Sequence, residues 1–386
     1  MTSVRFGIEQ LTLSCFRCYD SLSLVLDRDL PPVVLTGSNG AGKTNVLEAI
    51  SFLVPGRGLR SARLADVSYR IGMPDPDVLT LPKAWAVSAR VRLGTETAQI
   101  GTGKTDQSER RQIRIDGQNV KSQDSLGKMM SILWLTPAFD RIFNSEPATR
   151  RRFLDRLVQS FLPSYAHITT EYAYAFKQWM SLLCAGKTDP AWLTALEQQI
   201  AQNGVAIAAA RVDVADRLNN LLEQAPQTEF PRARMFLKGA VEDFIRSHSA
   251  LQAETYFADL LAKSRHLVAD GGHAAGPHTA DLSVLNINKN TDASLCSTGE
   301  QKALLLSIIF AQTQALMKEK GQCPLLLLDE GLSHLDAHRQ GALFELILSL
   351  PSQVWLTGVD EKAFAPLENK AEFFSIDNAK AYRAVA

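Results

Sequence analysis

One eight-residue segment constrains the fold of this chain more than any other. Gly37 to Thr44 has the sequence Gly-Ser-Asn-Gly-Ala-Gly-Lys-Thr and matches the phosphate-binding pattern G-x-x-x-x-G-K-[ST] without a mismatch. The apolar run Val33 to Leu35 precedes it, and apolar residues with helical spacing follow it from Val46. A strand, a glycine-rich loop and a helix in this order predict a nucleotide site in an α/β protein.

Each part of this loop has a physical role in holding a triphosphate. Glycines let backbone N–H groups converge on phosphate oxygens, and the helix N-terminus adds partial positive charge. We expect Lys43 to reach the β- and γ-phosphates of ATP and the Thr44 hydroxyl to bind Mg²⁺. The predicted ATP-binding residues of the loop are Gly37, Ser38, Asn39, Gly40, Ala41, Gly42, Lys43 and Thr44.

A second informative segment is the apolar run Leu325 to Leu328, which ends in Asp329 and Glu330. Four apolar residues in a row suit a strand that is buried on both faces of a parallel sheet. Because ligands bind at the carboxyl ends of such strands, we expect Asp329 to hold Mg²⁺ directly or through water. Glu330 is then placed to orient or deprotonate the attacking water, so that Glu330 and Lys43 are the predicted catalytic residues.

The segment Ser297 to Gln301 stands directly before a long helix that the pattern predicts over about 299–319. Ser297 and Glu300 have the spacing of a capping box, which by itself indicates no more than a well-capped helix. A serine hydroxyl and the N–H of Gly299 at a helix N-terminus also suit a phosphate sensor. The residues alone leave both interpretations open.

The order of elements predicts a helical segment inserted into an α/β domain. Strand-like alternation fills 1–36 and 84–118, with Asp116-Gly117 as a hairpin turn, whereas 148–225 has helical spacing interrupted by prolines. We therefore expect an ATPase head formed by 1–147 and 226–386 and a helical lid formed by 148–225. Residues 265–280 contain glycines, a proline and three histidines, and they are predicted to be a loop.

Composition excludes several classes of protein. Lys and Arg number 41 and Asp and Glu number 41, so the chain is not a uniformly basic, histone-like protein. Five cysteines in 386 residues do not make a disulfide framework, and Cys15-x-x-Cys18 lacks the second pair of a zinc site. The absence of a long apolar run and of a signal-peptide pattern predicts a cytoplasmic protein without a membrane partner.

Positive charge is concentrated locally despite the neutral total. Residues 55–152 carry 17 Lys and Arg against 10 Asp and Glu. Phosphate contacts from such a region would be independent of sequence and sensitive to salt, so a nucleic-acid backbone that is bound without base reading is a candidate partner. A solvated face with scattered ion pairs is the alternative for any one arginine. The candidate DNA-binding residues are Arg57, Arg60, Arg63, Arg110, Arg111 and Arg114.

The order of these segments resembles that of ABC-type ATPases. Ser297 to Gln301 resembles the signature motif, Leu325 to Glu330 resembles Walker B, and Ser333 to Asp336 resembles the D-loop. Within that superfamily the chain resembles the RecF family of bacterial DNA replication and repair proteins over nearly its whole length. The segments that carry this resemblance are Leu13 to Tyr19, Gly37 to Ile50, Pro55 to Arg60, Arg151 to Asp155 and Gly276 to His278.

The resemblance implies a fold, further site residues and an assembly. The implied fold is an α/β ABC-type P-loop ATPase head with a mixed β-sheet and an inserted α-helical lid subdomain. Asn45 and Arg17 would join the ATP site, and Ser333 and Asp336 would act in the D-loop. The signature residues Ser297, Thr298, Gly299, Glu300 and Gln301 would complete the ATP site of a second copy in an ATP-dependent homodimer.

The family resemblance also implies a biological role. The chain would bind DNA at gaps, hydrolyse ATP weakly with stimulation by DNA, and aid RecA loading with RecR and RecO in recombination, replication and the response to DNA damage, including the SOS response. Two departures from the family or superfamily pattern are Thr279, where an arginine often follows Gly-Pro-His, and Thr357-Gly358-Val359-Asp360, where ABC ATPases often carry a switch histidine.

Three other functions compete with this interpretation. An ABC transporter ATPase subunit would place the signature closer to the phosphate-binding loop than the 254 positions between Lys43 and Ser297. An SMC-like or RecN-like protein would carry long heptad arms, but Pro163 and Pro190 interrupt the middle of this chain. A clamp that binds ATP without splitting it is the third alternative, and the presence of Glu330 argues against it.

Overall fold

A computed structural model describes residues 6–69, 84–186, 189–226 and 228–383 of the chain. The strands are β1 (Phe6–Phe16), β2 (Tyr19–Val25), β3 (Val33–Thr36), β4 (Trp85–Leu93), β5 (Glu96–Lys104), β6 (Gln112–Ile115), β7 (Gln118–Val120), β8 (Ile132–Leu135), β9 (Ala233–Lys238), β10 (Asp281–Asn286), β11 (Thr291–Asp292), β12 (Leu325–Leu328), β13 (Val354–Thr357), β14 (Glu372–Asp377) and β15 (Lys380–Arg383). The α-helices are α1 (Lys43–Ser51), α2 (Asp124–Met129), α3 (Pro147–Phe161), α4 (Tyr165–Cys184), α5 (Pro190–Gln224), α6 (Ala240–Ile245), α7 (Ala250–Ala269), α8 (Thr298–Lys320) and α9 (Ala337–Ser349).

The chain divides into two compact units. Unit 1 comprises Met1–Asp140 and Thr313–Ala386, and unit 2 comprises Arg141–Gln312. The boundary on the C-terminal side falls inside α8. Unit 2 is therefore a continuous segment inserted into the chain of unit 1.

A mixed sheet in unit 1 positions the phosphate-binding loop. Among the described residues its strand order is β15-β14-β3-β13-β12-β8, and only β15 is antiparallel to its neighbour. Strands β3, β8, β12 and β13 are buried along their whole length, as their uninterrupted apolar runs predict. Parallel pairing brings the carboxyl ends of β3, β12 and β13 to the same edge of the sheet.

A second sheet of unit 1 is antiparallel, with the order β2-β1-β4-β5-β6-β7 in the described residues. Asp116 and Gly117 connect β6 to β7 and both have positive φ, which confirms the predicted hairpin turn. The rings of Phe16, Phe52 and Trp85 pack together with centroids 5.2–6.0 Å apart and are at most 2% exposed. This aromatic cluster joins the antiparallel sheet to the helix that follows the phosphate-binding loop.

Unit 2 combines helices with a small antiparallel sheet. The 35-residue α5 packs against α4, α6 and α7, and β9, β10 and β11 form a sheet in the order β11-β10-β9 within the described residues. Arg150 of α3 donates to both carboxylate oxygens of Asp281 in β10, at 2.8 and 2.7 Å. Asp281 and Arg150 thus attach the first helix of the unit to its sheet.

The helices begin and end near the residues that the sequence predicts. Pro163 separates α3 from α4, and Pro190 is the first residue of α5. The loop predicted over 265–280 is wrong at its start, because α7 continues to Ala269 and buries Leu261 and Val268 on one face. In the described part of the chain, no helix has both the length and the apolar character needed to span a bilayer.

The compact units and the predicted domains differ in where 226–312 belongs. The prediction groups these residues with the ATPase head, whereas their contacts place them in unit 2 because β9, α6 and α7 pack against α5. Periodicity identifies helices and strands but not the partners against which they pack. A lid formed by 148–225 as a domain of its own remains a prediction.

Candidate nucleotide-binding site

Two glycines of the phosphate-binding loop stand where no side chain fits. Gly37 has φ 138°, and a Cβ atom there would lie 2.2 Å from the carbonyl oxygen of Ile376 in β14. Gly42 has φ 118°, and its Cβ would lie 2.6 Å from the hydroxyl of Tyr19 and 2.9 Å from the sulfur of Cys18. Gly40 also has positive φ but faces open space. The loop is thus wedged between β14 and the β1–β2 turn, with its apex exposed.

Lys43 is the first residue of α1 and lies under the loop. Its ammonium donates to the carbonyl oxygens of Gly37 at 2.7 Å and Ser38 at 2.8 Å, and the residue is 7% exposed. Burial lowers the pKa of Lys43, while the carboxylates of Asp329 and Glu330 act in the opposite direction. The ammonium is therefore held beside the position where the loop presents its N–H groups.

A hydrogen-bonded chain around Asp329 connects the ends of β12 and β13 to the start of α1. One carboxylate oxygen of Asp329 accepts from the hydroxyls of Thr44 at 2.9 Å and Thr357 at 2.8 Å. The Thr357 hydroxyl also accepts from the backbone N–H of Glu330 at 2.8 Å. Thr357 therefore orients the predicted metal ligand and the predicted base together, while the Glu330 residue is exposed and has φ 50°.

A second cluster lies beside the loop, around the fully buried Glu48 of α1. Arg17 donates to its two carboxylate oxygens at 2.9 and 2.6 Å, and Arg60 lies 3.4 Å from one of them. Arg60 also donates to the side-chain oxygen of Asn45 at 2.9 Å, and the Asn45 amide donates to the sulfur of Cys18 at 3.1 Å. The structure thus brings Arg17 and Asn45, both predicted ATP-binding residues, to the flank of the loop.

The predicted D-loop residues lie after β12 in unit 1. The Ser333 hydroxyl donates to the carbonyl oxygen of Glu330 at 2.8 Å, so Ser333 closes the turn that carries Glu330. Asp336 caps α9 by accepting from the backbone N–H of Arg339 at 2.9 Å. The backbone N–H of Arg339 lowers the pKa of Asp336, which is consistent with this cap.

The predicted signature residues lie in unit 2, at the start of α8. The Ser297 backbone N–H and hydroxyl each donate to the Glu300 carboxylate at 2.9 Å, and the Glu300 N–H donates back to the Ser297 hydroxyl at 3.4 Å. The capping box predicted from the sequence is therefore present. Gln301 is buried and donates to the carbonyl oxygen of Cys296 and the side chain of Asn144.

Electrostatics stabilise the charged form of Glu300. The ion pair with Lys289, followed by the Ser297 N–H and hydroxyl, lowers the pKa of Glu300 to about 2. Ser297 itself is exposed at the first turn of α8. The first backbone N–H groups of a helix have no acceptor within the helix, so the start of α8 can bind an anion beside the exposed Ser297.

The six arginines proposed for DNA binding have different environments. Arg111 donates to the Phe52 carbonyl oxygen and to Thr102 at 2.6 Å, and its guanidinium lies 5.3 Å from the centroid of the Phe52 ring. Burial lowers the pKa of Arg111 to about 10. Arg60 is held by Asn45 and Glu48. The arginines of the set that are exposed and not tied to the nucleotide-binding loop are Arg57, Arg63, Arg110 and Arg114.

Sequence reasoning missed Thr357 and Glu48 as parts of this site. Thr357 ends β13, an apolar parallel strand next to β12, so the rule that ligands bind at carboxyl strand ends could have identified it. Glu48 had no such signal, because an acidic residue in an amphipathic helix is ordinarily exposed. Of the two cysteines of the Cys15-x-x-Cys18 pattern, Cys15 lies in β1 and Cys18 lies in the turn after it.

Comparisons with known proteins place the chain among relatives over almost its whole length. Residues 7–381 match the family described as the RecF/RecN/SMC N terminal domain. The chain is 38% identical over 382 residues to the DNA replication and repair protein RecF of Rhizobium etli, covering 98% of this chain and 99% of that one. It is 40% identical over 375 residues to the protein of the same name from Allorhizobium ampelinum, covering 96% and 97%.

Solved structures show the same fold. The chain superposes with a TM-score of 0.83 and 20% identity on the recombination mediator protein RecF-ATPrS in the RecFOR pathway, covering 99% of both chains. An Smc head domain from Pyrococcus furiosus, bound to the C-terminal domain of ScpA, gives a TM-score of 0.53 at 14% identity and covers 98% of this chain and 96% of that one. These likenesses confirm the predicted α/β fold of an ABC-type ATPase head.

The tight approach of Gly37 to β14 generates a first prediction. Gly37→Ala should destabilise the loop by more than about 2 kcal/mol, because both the positive φ and the contact with the Ile376 carbonyl oppose a Cβ atom. Fluorescent ATP-analogue binding and thermal unfolding of the full chain measure the effect, and binding should fall at least tenfold.

Gly40→Ala is the matched control. It has the same kind of backbone conformation but no atom within 4 Å, so it should cost only about 1 kcal/mol and leave binding within a few-fold of the parent. Equal effects of the two alanines would contradict the argument from the Ile376 contact.

The ion pair at the start of α8 generates a second prediction, on pH. The folded-state pKa of Glu300 lies near 2, below its value in the unfolded chain, so the stability that its charge contributes is present above pH ~4.5 and is lost as the pH falls toward 2. Glu300→Gln keeps a side chain able to complete the capping box but removes this charge. Urea unfolding should show a deficit of ~1 kcal/mol at pH 7 that shrinks below pH ~4.5; a deficit independent of pH would rule out the charge as its cause.

Proposed function

Because the chain belongs to the RecF family, we propose that it is an ATP-hydrolysing protein of DNA replication and recombinational repair in which bound ATP closes a homodimer on DNA. The chain covers its curated relatives almost end to end, so the role in DNA replication and repair applies to the whole chain. The observation that carries the ATP-dependent mechanism is the connected set of Thr44, Asp329, Thr357 and Glu330 beside the phosphate-binding loop.

The oxygen atoms of Thr44 and Asp329 fit a magnesium ion. They lie 2.9 Å apart, and Mg²⁺ prefers oxygen ligands, of which the protein supplies one or two and the nucleotide phosphates supply others. In the described ranges, no group of three or more His, Cys, Asp or Glu side chains could hold a metal ion without such phosphates. Bound there with ATP, the ion would offset the negative charge that develops on the phosphate oxygens.

Different residues of the chain bind the phosphates of ATP and activate the attacking water. The loop N–H groups and Lys43 hold the β- and γ-phosphates, and the Lys43 ammonium would exchange its contacts with Gly37 and Ser38 for phosphate oxygens. Glu330 orients the attacking water and accepts its proton. Thr357 keeps the Glu330 backbone in its unusual conformation, so the carboxylate projects from a defined point at the strand end.

The capped start of α8 supports the dimer part of the proposal. Ser297, Thr298, Gly299, Glu300 and Gln301 of one copy would meet the γ-phosphate that Lys43 holds in the other copy. The Glu300 carboxylate accepts from Ser297 and is neutralised by Lys289, so it holds the loop in shape without leaving an uncompensated negative charge. Loss of the γ-phosphate would remove this bridge, so ATP acts as a switch for dimerisation and turnover is slow.

The exposed arginines support binding to the DNA backbone. Arg57, Arg63, Arg110 and Arg114 present guanidinium groups at the surface of unit 1, and such groups contact phosphates without reading bases. Arg111 and Arg60 are left out of this surface, because Arg111 stabilises the fold and Arg60 is held at the nucleotide-binding loop. Binding to single- and double-stranded DNA follows from this sequence-independent chemistry, whereas action at gaps is what the family resemblance implies.

The wider assembly is also part of the proposal. The RecF-ATPrS structure named above belongs by its description to the RecFOR pathway, which supports RecR and RecO as partners and RecA loading as the outcome. Such a protein works in the cytoplasm.

The three competing functions are separated by different observations. Near-complete coverage of RecF relatives argues against an ABC transporter subunit. The longest helix in the described part of the region between the motifs, α5, has 35 residues, so the described chain has no extended SMC-like or RecN-like arm. A clamp that binds ATP without splitting it differs from the proposal only in ATP turnover. Comparing the turnover of the parent with that of a Glu330 variant separates the two.

Glu330→Gln should lower ATP turnover about 100-fold or more while ATP still binds, since it removes the base but keeps the size of the side chain. Sedimentation should then show a persistent ATP-dependent dimer on DNA. Glu361→Gln, at an exposed position outside the site, is the control and should leave turnover unchanged. Unchanged turnover in Glu330→Gln would remove Glu330 from this role, and an ATP-loaded protein that stays a monomer would contradict the dimer.

The exposed arginines proposed to contact DNA generate a prediction about the salt dependence of DNA binding. Replacing Arg63 and Arg114 by Gln should weaken binding equally for unrelated DNA sequences, and it should reduce the slope of log affinity against log salt by about one for each phosphate that is no longer neutralised. Fluorescence anisotropy across a salt series measures this slope, with the exposed Lys362→Gln as the charge-matched control. A salt slope that both arginine variants leave unchanged would place the DNA elsewhere.

A further inference from the structure

Unit 2 contains a cavity that the nucleotide site does not use. Its volume is about 390 Å³, within the range of small-molecule sites, and it lies between α3, α4, α5 and the loop before β10. Its rim includes the exposed residues Ala148 and Arg152, and its floor includes the buried residues Tyr172, Ile207 and Arg211. The cavity is thus a recess with an open mouth and a closed, charged base.

Arg211 forms the base and is fully engaged with the protein. It donates to both carboxylate oxygens of Asp155, at 2.8 and 3.1 Å, and to the carbonyl oxygen of Pro277 at 2.6 Å. Glu242 lies 3.4 Å away on its other side. Asp155 also accepts from the hydroxyl of Tyr165 at 2.5 Å, so the one carboxylate that lines the cavity has both oxygens occupied.

The loop before β10 is held in place by the same residues. Gly276 packs so closely that a Cβ atom there would lie 2.8 Å from the Tyr172 hydroxyl, and that hydroxyl is 2.7 Å from a ring nitrogen of His278. Burial lowers the pKa of His278 to about 4, so its ring is neutral at pH 7. His278 therefore closes the wall without adding charge.

Arg151 and Arg152 differ from Arg211, because neither forms an ion pair within the described residues. Arg151 donates to the carbonyl oxygen of Ala280 at 2.7 Å, and Arg152 donates to the hydroxyl of Thr149 at 2.8 Å. Each guanidinium has five N–H donors, and each of these two hydrogen bonds uses one of them. Burial, followed by the charge of Arg211, lowers the pKa of Arg151, so both disfavour its positive charge.

The balance of charge at this cavity favours an anion. Three guanidinium groups face two carboxylates, Asp155 and Glu242, and both carboxylates are directed at Arg211. The two remaining guanidiniums stand on successive positions of α3 at the mouth. Arginine forks match the oxygens of a phosphate group.

We propose that this cavity binds a terminal phosphate group, held by Arg151 and Arg152 at the mouth with Arg211 behind them. A terminal phosphate suits three guanidinium groups better than a bridging one, because it has three unesterified oxygens instead of two and carries more negative charge. The phosphate can come from the end of a DNA strand, a source that rests on the proposed function, or from a free phosphorylated compound. The two segments that build the site, Arg151 to Asp155 and Gly276 to His278, have no role in the ATP chemistry derived above.

The first experiment titrates inorganic phosphate into the full chain by calorimetry, in a Lys43→Ala background that weakens phosphate binding at the nucleotide loop. Arg152→Gln should reduce the affinity about tenfold, as expected for the loss of one charged hydrogen-bonding group. Arg246→Gln is the matched control, an exposed arginine of the same unit paired with Asp216, and should change the affinity less than about twofold. Phosphate affinity that is unchanged in Arg152→Gln, or absent in the parent, would overturn the proposal.

Arg151 gives a second, independent variant. Arg151→Lys keeps the charge but loses the fork, so its affinity for phosphate should fall between those of the parent and Arg151→Gln. Thermal unfolding of each variant separates this effect from the loss of the hydrogen bond to Ala280. Equal phosphate affinities of Arg151→Gln and the parent would also contradict the assignment.

The second experiment identifies the source of the phosphate. Oligothymidylates with a 5′ phosphate, a 3′ phosphate or neither are compared by anisotropy in the parent and in Arg152→Gln. A preference for a phosphorylated end that disappears in Arg152→Gln supports a strand end as the ligand. Equal binding of all three, together with Arg152-dependent binding of inorganic phosphate, supports a free phosphorylated compound. Arg152-dependent phosphate binding without any DNA binding would contradict the proposed function and leave this site intact.

Discussion

The carboxylate of Asp329 is the point on which the nucleotide site depends. It stands at the end of β12 and accepts hydrogen bonds from Thr44, at the start of α1, and from Thr357, at the end of β13. Parallel pairing aligns these strand ends, and the buried apolar strands hold them there. Without this carboxylate, the hydroxyls of Thr44 and Thr357 would lose this acceptor, and Thr357 would be less firmly held where it accepts from the backbone of Glu330.

The backbone around the site has conformations that ordinary residues avoid. Gly37 and Gly42 have positive φ and contact neighbours too closely for any side chain, and Glu330 adopts positive φ without being a glycine. Such conformations persist only where surrounding contacts determine them, and here these contacts are Ile376, Tyr19 and Thr357. The site is therefore preorganised by the parts of unit 1 that do not touch the nucleotide.

The chain uses arginine in two distinct ways. Arg111, Arg150 and Arg211 direct their guanidinium groups to carbonyl oxygens or carboxylates of the protein, so they stabilise local structure. Arg151 and Arg152 form no ion pair in the described part of the chain, and they stand at a cavity. Proximity in sequence does not separate these classes, since Arg150, Arg151 and Arg152 are consecutive. A count of basic residues therefore predicts less about function than the identity of their acceptors.

Local sequence determined the elements of the fold and the chemistry of its main site. The loop from Gly37 to Thr44, the strand before Asp329 and the capping box of Ser297 and Glu300 are set by spacing within a few residues, and the structure contains each of them. Tertiary structure alone decided which side chains support them. Thr357 lies 28 positions from Asp329, Arg17 lies 31 from Glu48, and Arg211 lies 56 from Asp155. Periodicity carries no information about such pairs, because it reports which face of an element is buried and not which element covers it.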